Sequence, residues 1–296
     1  MTTFAAPRVA HHFTVDVEEY FHVSAMEPYV ERSAWEGMPS RVDASTRRLL
    51  DLLAEHDARG TFFVLGWVAE RHPALVRDIA EAGHEVASHG HAHERITQLT
   101  PEQFRESVRV SKQILEQLIG QAVLGYRAPS FSILRGMEWS FDVLLEEGYR
   151  YDSSLYPVRR SGSGFVGGKR DPHPISRSGG TLHEFPPATL KVGPRVFAAG
   201  GGAYLRHLPY LLVDGALASA ERRGVPATIY IHPWEVDPAQ PRIAVNAVTR
   251  LRHYGGLSRT LPRLARMLGD YRFQPIATTL AAAGAPSVPR AALAGA

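Results

Sequence analysis

Apolar residues follow two alternating patterns along the chain. Short β-type runs occur at 13–17 and again at 61–65 (TFFVL). Around them, apolar positions recur at three- and four-residue spacing, the period of a helix with one buried face. This predicts a helix at 44–56, opened by Asp43 or Ser45 and followed by Gly60. A second helix is expected at 73–82, with Pro in its first turn and Gly83 beyond its end. Thr100-Pro101-Glu102-Gln103 has the spacing of a capping box and starts a helix reaching to about Leu118. The run 85–87 leads into a histidine-rich stretch. Further strands are predicted at 124–126, 151–153, 181–185 and 227–231, and helices at 137–147 and 204–223.

Strands that alternate with helices are joined by crossovers and therefore run parallel. The pattern holds about seven strands, so it predicts an α/β barrel or a strongly curved sheet, with an open doubly wound sheet as the fallback. Two segments break the rhythm. Residues 161–180 are rich in Gly, Ser and Pro and are expected to form a long loop. After Pro238 the pattern becomes basic and helical over 245–269, and the Ala/Pro-rich tail 281–296 is expected to fray. The expected organisation is one domain at 1–237 with a helical extension, 238–296, packed on it.

Composition narrows the chemistry. The 296 residues include no Cys, which excludes disulfides, thiolate nucleophiles and cysteine metal sites. Any metal must be held by His, Asp, Glu or backbone oxygen. Basic and acidic residues nearly balance, 33 against 30, and no Lys/Arg run is long enough for a nucleic-acid tract. No apolar run is long enough to span a membrane. The N-terminus lacks a basic stretch followed by an apolar one, so a cytoplasmic protein is expected.

Four stretches carry candidate chemistry. Ser88-His89-Gly90-His91-Ala92-His93 places three imidazoles in five residues, with His89 and His93 at a spacing suited to gripping one cation. Asp16-Val17-Glu18-Glu19 lies at the C-terminal end of the first strand, where parallel α/β folds place their sites. On an extended chain Asp16 and Glu18 point the same way, so one carboxylate could complete a metal triad and the other act as general base. Arg127 precedes Ala128-Pro129 in an extended bend, a place suited to holding a carboxylate. His232 emerges from the last strong β run, before Pro233-Trp234.

Taken in order, these stretches resemble the polysaccharide deacetylases, the NodB-homology carbohydrate esterases. The matching residues are Thr14-Val15-Asp16-Val17-Glu18, His89-Gly90-His91-Ala92-His93, Arg127-Ala128-Pro129, Tyr151-Asp152-Ser153-Ser154 and Ile231-His232. The stretches DVEEYFHV, YDSSLYP, HEFPPAT and IHPWEVDPAQPR resemble the exopolysaccharide-locus branch associated with the exosortase/PEP-CTERM system. The resemblance implies a distorted (β/α)7 barrel that removes N-acetyl groups from amino sugars of a polysaccharide, using a divalent metal, Zn2+ first among the candidates. It implies Asp16 as catalytic base, Arg127 as its orienting partner, His232 as general acid and Asp152 as the group tuning His232. His89 and His93 would be metal ligands. Where the family has a second Asp as ligand this chain has Val17; some relatives place the ligand two residues on, so the resemblance implies Glu18 as third ligand, with Glu19 as competitor. Tyr20, Phe21, Tyr126, Pro129, Phe131, Tyr156 and Trp234 flank the motifs and are candidates for sugar contact, with Tyr126, Pro129, Tyr156 and Trp234 foremost. Gly200-Gly201-Gly202 would admit a close substrate approach or act as a plain linker. The change at Val17 keeps open an allantoinase-like, metal-free cyclic-amide hydrolase, and a non-catalytic glycan-binding barrel is a third reading.

Overall fold

The structure is a computed structural model that describes residues 9–158 and 163–284. Its strands are β1 (Ala10–Val17), β2 (Thr61–Val64), β3 (Glu85–Ser88), β4 (Gly125–Tyr126), β5 (Tyr151–Asp152), β6 (His173–Arg177), β7 (Gly180–Glu184), β8 (Thr189–Val192), β9 (Arg195–Ala198), β10 (Thr228–Ile231) and β11 (Arg272–Gln274). The main sheet runs β10-β1-β2-β3-β4-β5-β7-β6, and β11 pairs with the start of β1. Every pairing from β10 to β7 is parallel, which gives the mixed α/β fold expected. Beyond β7 the chain turns back on β10: Pro187 bridges Thr228, and Gly201 bridges Tyr230. These isolated bridges link the segment after β7 to β10, while the strands themselves follow an open path from β10 to β6.

The alternation within β1 sets up everything that follows. Phe13, Val15 and Val17 pack with Leu49, Leu53, Phe62 and Val64 in the main apolar core. The alternate residues turn to the other face, where Thr14 and Asp16 meet Arg127 and His12 meets Thr228 and Thr279. A strand buried on both faces with one polar side brings polar groups together inside the fold, where each must find a partner.

The helices follow the sequence pattern with local corrections. The first spans Val42–Glu55 and is opened not by Asp43 or Ser45 but by Glu19, whose carboxylate accepts the N–H groups of Arg41 and Val42. The capping box at Thr100 and Gln103 forms and starts Pro101–Ile119. The helix expected over 204–223 is two, Gly202–His207 and Tyr210–Arg222, because Pro209 cannot continue the first. Likewise 245–269 divides into Ala247–Tyr254 and Thr260–Asp270 around Gly255-Gly256, where Gly256 has φ +71°.

The expected loop at 161–180 contains β6, antiparallel to β7. Its side chains carry no apolar alternation, so only backbone pairing makes it a strand. Ser161 and Gly162 lie outside the described residues, as does 285–296 of the expected tail, while 281–282 end a helix, Ile276–Ala282. The region after 237 is not purely helical, since β11 extends the sheet beside β1. Among the described residues no helix is long and apolar enough to cross a membrane.

Candidate active site

The candidate groups converge at the C-terminal ends of β1, β3, β4 and β10. Asp16 is buried, and its Oδ1 accepts Arg127 Nη1 at 2.7 Å. Arg127 is itself enclosed: it donates to Thr14 Oγ1 at 2.7 Å, to Ser153 Oγ at 2.8 Å and to the Ser153 carbonyl at 3.2 Å, and lies 4.0 Å over the Phe63 ring. A guanidinium bonded on several sides has a fixed direction, and it leaves Asp16 Oδ2 open to the site.

Glu18, His89 and His93 form a buried group whose ligand atoms all lie within 4.8 Å of one another. Glu18 Oε2 is 2.9 Å from His93 Nε2 and 3.9 Å from His89 Nε2, yet it has no hydrogen-bond partner of proper geometry. His89 Nδ1 lies 2.9 Å from the Arg127 carbonyl. A carbonyl only accepts, so Nδ1 carries the proton and Nε2 keeps its lone pair towards Glu18. Burial holds His89 neutral by pushing its pKa down to about 4. Burial alone would raise the Glu18 carboxyl, but His93, His232 and His89 outweigh it and hold it far below the usual range. One carboxylate and two imidazoles, dry and facing each other, fit a divalent cation. His93 adopts φ +51°, a backbone conformation uncommon outside glycine, which aims its ring at Glu18.

Glu19, the competing ligand, points the other way and caps the helix at Val42. Val17 faces the apolar core, so the side chains on the site face of this strand end are Asp16 and Glu18.

His232 closes the other side. Its Nε2 is 3.8 Å from Asp16 Oδ2 and 3.6 Å from Glu18 Oε1. Its side chain keeps 19% exposure, against 3% for Asp16 and 1% for Glu18, so the site opens to solvent beside it. Nδ1 lies 2.7 Å from Glu235 Oε1. Burial works against the charged ring, but the Glu235 hydrogen bond and the charges of Glu18, Glu235 and Asp16 raise its pKa to about 9.

The partner of His232 is therefore Glu235 and not the expected Asp152. Asp152 accepts from Ser154 and pairs with Glu184 under Arg127's neighbour Ser153. Burial raises Asp152 to about 6 and Glu184 well above its ordinary value, as expected for two enclosed carboxyls sharing a proton. Glu235 escaped the sequence reading, although its place three residues after His232 is a capping-box spacing that could have revealed it.

The sugar-contact candidates are mostly interior. Tyr126 packs against Phe104 and Tyr149, Tyr156 against Phe131 and Tyr230, and Pro129 is buried. Tyr20 and Phe21 are enclosed with Trp35. These rings have no free face to offer a sugar. Trp234 lies flat against His232, with centroids 5.1 Å apart and planes 19° apart, and so supports the imidazole. The glycines at 200–202 are packing glycines. A Cβ on Gly200 would meet Ala188 N at 2.7 Å, one on Gly201 the Tyr230 ring, and one on Gly202 the Glu235 carboxylate.

Residues 35–144 match the polysaccharide deacetylase family model, and residues 153–281 match DUF3473, a domain of unknown function. A peptidoglycan-N-acetylglucosamine deacetylase of Bacillus cereus is 29% identical over 52% of this chain and 59% of its own length. A peptidoglycan deacetylase of Helicobacter pylori is 34% identical over 36% of each chain. The chain thus spans little more than half, or less, of these relatives. Among solved structures, a Mycobacterium smegmatis protein assigned to the polysaccharide deacetylases superposes with TM-score 0.64 at 22% identity, covering 96% of this chain and 93% of that one. Puue allantoinase superposes with TM-score 0.60 at 16% identity, covering 96% of both chains. At such identities the two structures establish a shared fold.

Proposed function

We propose that this chain, which carries the polysaccharide deacetylase match over 35–144, is a metal-dependent hydrolase that removes N-acetyl groups from amino sugars of a polysaccharide. The observation that carries the reading is the convergence of His232 on both Asp16, at 3.8 Å, and Glu18 of the Glu18–His89–His93 group, at 3.6 Å. Glu18, His89 and His93 would hold the cation, and Zn2+ suits two imidazoles and a carboxylate. When bound, such a cation supplies Lewis-acid polarisation of the acetyl carbonyl.

The chain's own groups account for the protons. Asp16, with Oδ1 tied to Arg127, presents Oδ2 to take a proton from the attacking water as general base. The water oxygen bonds to the carbonyl carbon, and the carbon–nitrogen bond then breaks. An amide nitrogen leaves poorly as an anion, so a proton must reach it. His232 Nε2 is placed to give that proton, while Nδ1 remains on Glu235. The products are acetate and a free amino sugar.

Curated relatives that act on peptidoglycan and on chitooligosaccharides support an N-acetylated glycan as substrate. An exopolysaccharide, of the kind tied to exosortase/PEP-CTERM loci, is the substrate class we assign. The clustered ligands favour this reading over a metal-free cyclic-amide hydrolase. The test measures acetate release from an N-acetylglucosamine oligomer and from de-esterified exopolysaccharide, with and without chelator, in the parent and in His89→Ala. Chelator-sensitive release, lost in His89→Ala, is expected. Full activity in His89→Ala, or turnover of cyclic ureides in place of glycans, overturns it.

A further inference from the structure

The Glu235 carboxylate has two partners. Oε1 faces His232 Nδ1 at 2.7 Å, and Oε2 accepts Arg206 Nε at 2.8 Å. Arg206 is among the largest fully buried side chains. Its remaining donors reach three carbonyls: Nη1 to His253 at 3.0 Å and Gly255 at 2.8 Å, and Nη2 to Arg252 at 3.2 Å. Those carbonyls sit at the C-terminal end of the helix Ala247–Tyr254, where main-chain oxygens lack helical partners and carry partial negative charge. A buried guanidinium is tolerated only when charge and donors are both answered, and here both are.

A second contact runs in parallel. Trp234 is sandwiched between His232 and His253, the latter 4.1 Å away between centroids with planes 16° apart. The Arg206 guanidinium lies 5.4 Å from the Trp234 ring. The backbone is shaped around this arrangement. Gly256 takes φ +71°, and a Cβ there would come within 3.2 Å of the Arg206 carbonyl.

We propose that Arg206 is a positioning residue that locks Glu235, and through it His232, to the end of the helix at 247–254. The proposal rests on the reading of His232 as general acid. It gives the segment matched as DUF3473 a concrete task. That segment contains the acid, its orienting carboxylate, the clamp on that carboxylate and the histidine behind Trp234.

The test uses the whole 296-residue chain, loaded with metal, and two substrates. One is an N-acetylglucosamine oligomer, whose amine needs a proton to leave. The other is 4-nitrophenyl acetate, whose phenolate leaves without one. Arg206→Lys, Arg206→Gln and Glu235→Gln are compared with the parent, with thermal unfolding as a check of the fold. The ratio of amide to ester kcat should fall about ten- to a hundredfold in all three, with KM for the oligomer nearly unchanged. A ratio that stays at the parent value, whether both activities fall together or neither does, overturns the role of Arg206. If the Arg206 variants do not fold, a parental ratio in Glu235→Gln overturns it equally, because Arg206 acts through that carboxylate. A parent that releases no acetate from the oligomer refutes the hydrolase reading itself, and this role with it; an active parent with unchanged variant ratios refutes this role alone.

Discussion

Glu18 Oε2 and His93 Nε2 lie 2.9 Å apart, buried, with His89 completing a triangle, and the carboxylate oxygen has no hydrogen bond of proper geometry. A carboxylate and two imidazoles in a dry space are stabilised by a shared cation, and each loses a partner when one is removed. Glu18→Gln and His93→Ala should each abolish tight zinc uptake, measured by calorimetry and by metal content after dialysis. Uptake unchanged in both would remove the metal assignment.

Glu19, one residue on, should behave differently. Its carboxylate accepts the N–H groups of Arg41 and Val42 and the hydroxyl of Ser40, which is the work of a helix cap. Glu19→Gln should keep zinc uptake and lower stability by about 1–2 kcal/mol. Zinc loss in this variant, with the fold intact, would return Glu19 to the ligand set.

Asp16 and Arg127 should separate binding from turnover. Asp16→Asn keeps the shape of the side chain and leaves the Glu18 group in place, so zinc uptake should persist. Acetate release should fall about 10²- to 10⁴-fold, the usual worth of a general base. Arg127→Met leaves Asp16 and the Ser153 oxygens without their donor and should cost several kcal/mol, of order 3–5, in thermal or denaturant unfolding. Turnover of Asp16→Asn at the parental rate would exclude the base.

These outcomes bear on how far the sequence could be read. The β-type run at 13–17 exposed the strand, and extended backbone, which turns alternate side chains the same way, exposed the common direction of Asp16 and Glu18. The His89/His93 spacing was readable because the two imidazoles lie close together in sequence. Apart from Glu235, which is local to His232, what escaped depends on contacts distant in sequence. Arg206 finds its acceptors near residue 253, and Glu19 caps a helix that begins at Val42. No periodicity marks such pairs. The aromatic residues misled because a ring beside a motif is as useful in the core as in a groove, and Tyr126 and Tyr156 serve the core. Strands β6, β8 and β9 are short and half-exposed, so backbone pairing defines them and their side chains do not.

Gly202 offers a test of the wall behind Glu235 and His232. A Cβ there would stand 2.4 Å from both Glu235 oxygens and 2.3 Å from Ile231. Gly202→Ala must push the carboxylate away or strain the helix start, at a cost of about 1–3 kcal/mol. The melting temperature should drop, and acetate release should fall more than stability alone explains. An alanine variant with parental melting and turnover would show that the wall yields freely.

His12 shapes the acid response of the fold. Its ring is buried, with Nδ1 3.1 Å from Thr228 Oγ1 and Nε2 2.8 Å from Thr279 Oγ1. Burial, with His11 and Arg127 nearby, pushes its pKa down to about 3. The unfolded chain takes up this proton near pH 6.5, whereas the folded chain refuses it until about pH 3. The contribution of the neutral ring is therefore full above pH 6.5 and is lost as pH falls between those values. Glutamine can keep a donor and an acceptor but does not titrate. The stability gap between the parent and His12→Gln should shrink by about 2 kcal/mol from pH 7.5 to pH 5, as the parent alone loses this contribution. Denaturant unfolding at the two pH values measures the gap, and the comparison cancels the opposing effects of raised carboxyls such as Asp152 and Glu184, which are present in both proteins. A gap that is constant or widens on acidification would mean that His12 is protonated in the folded state.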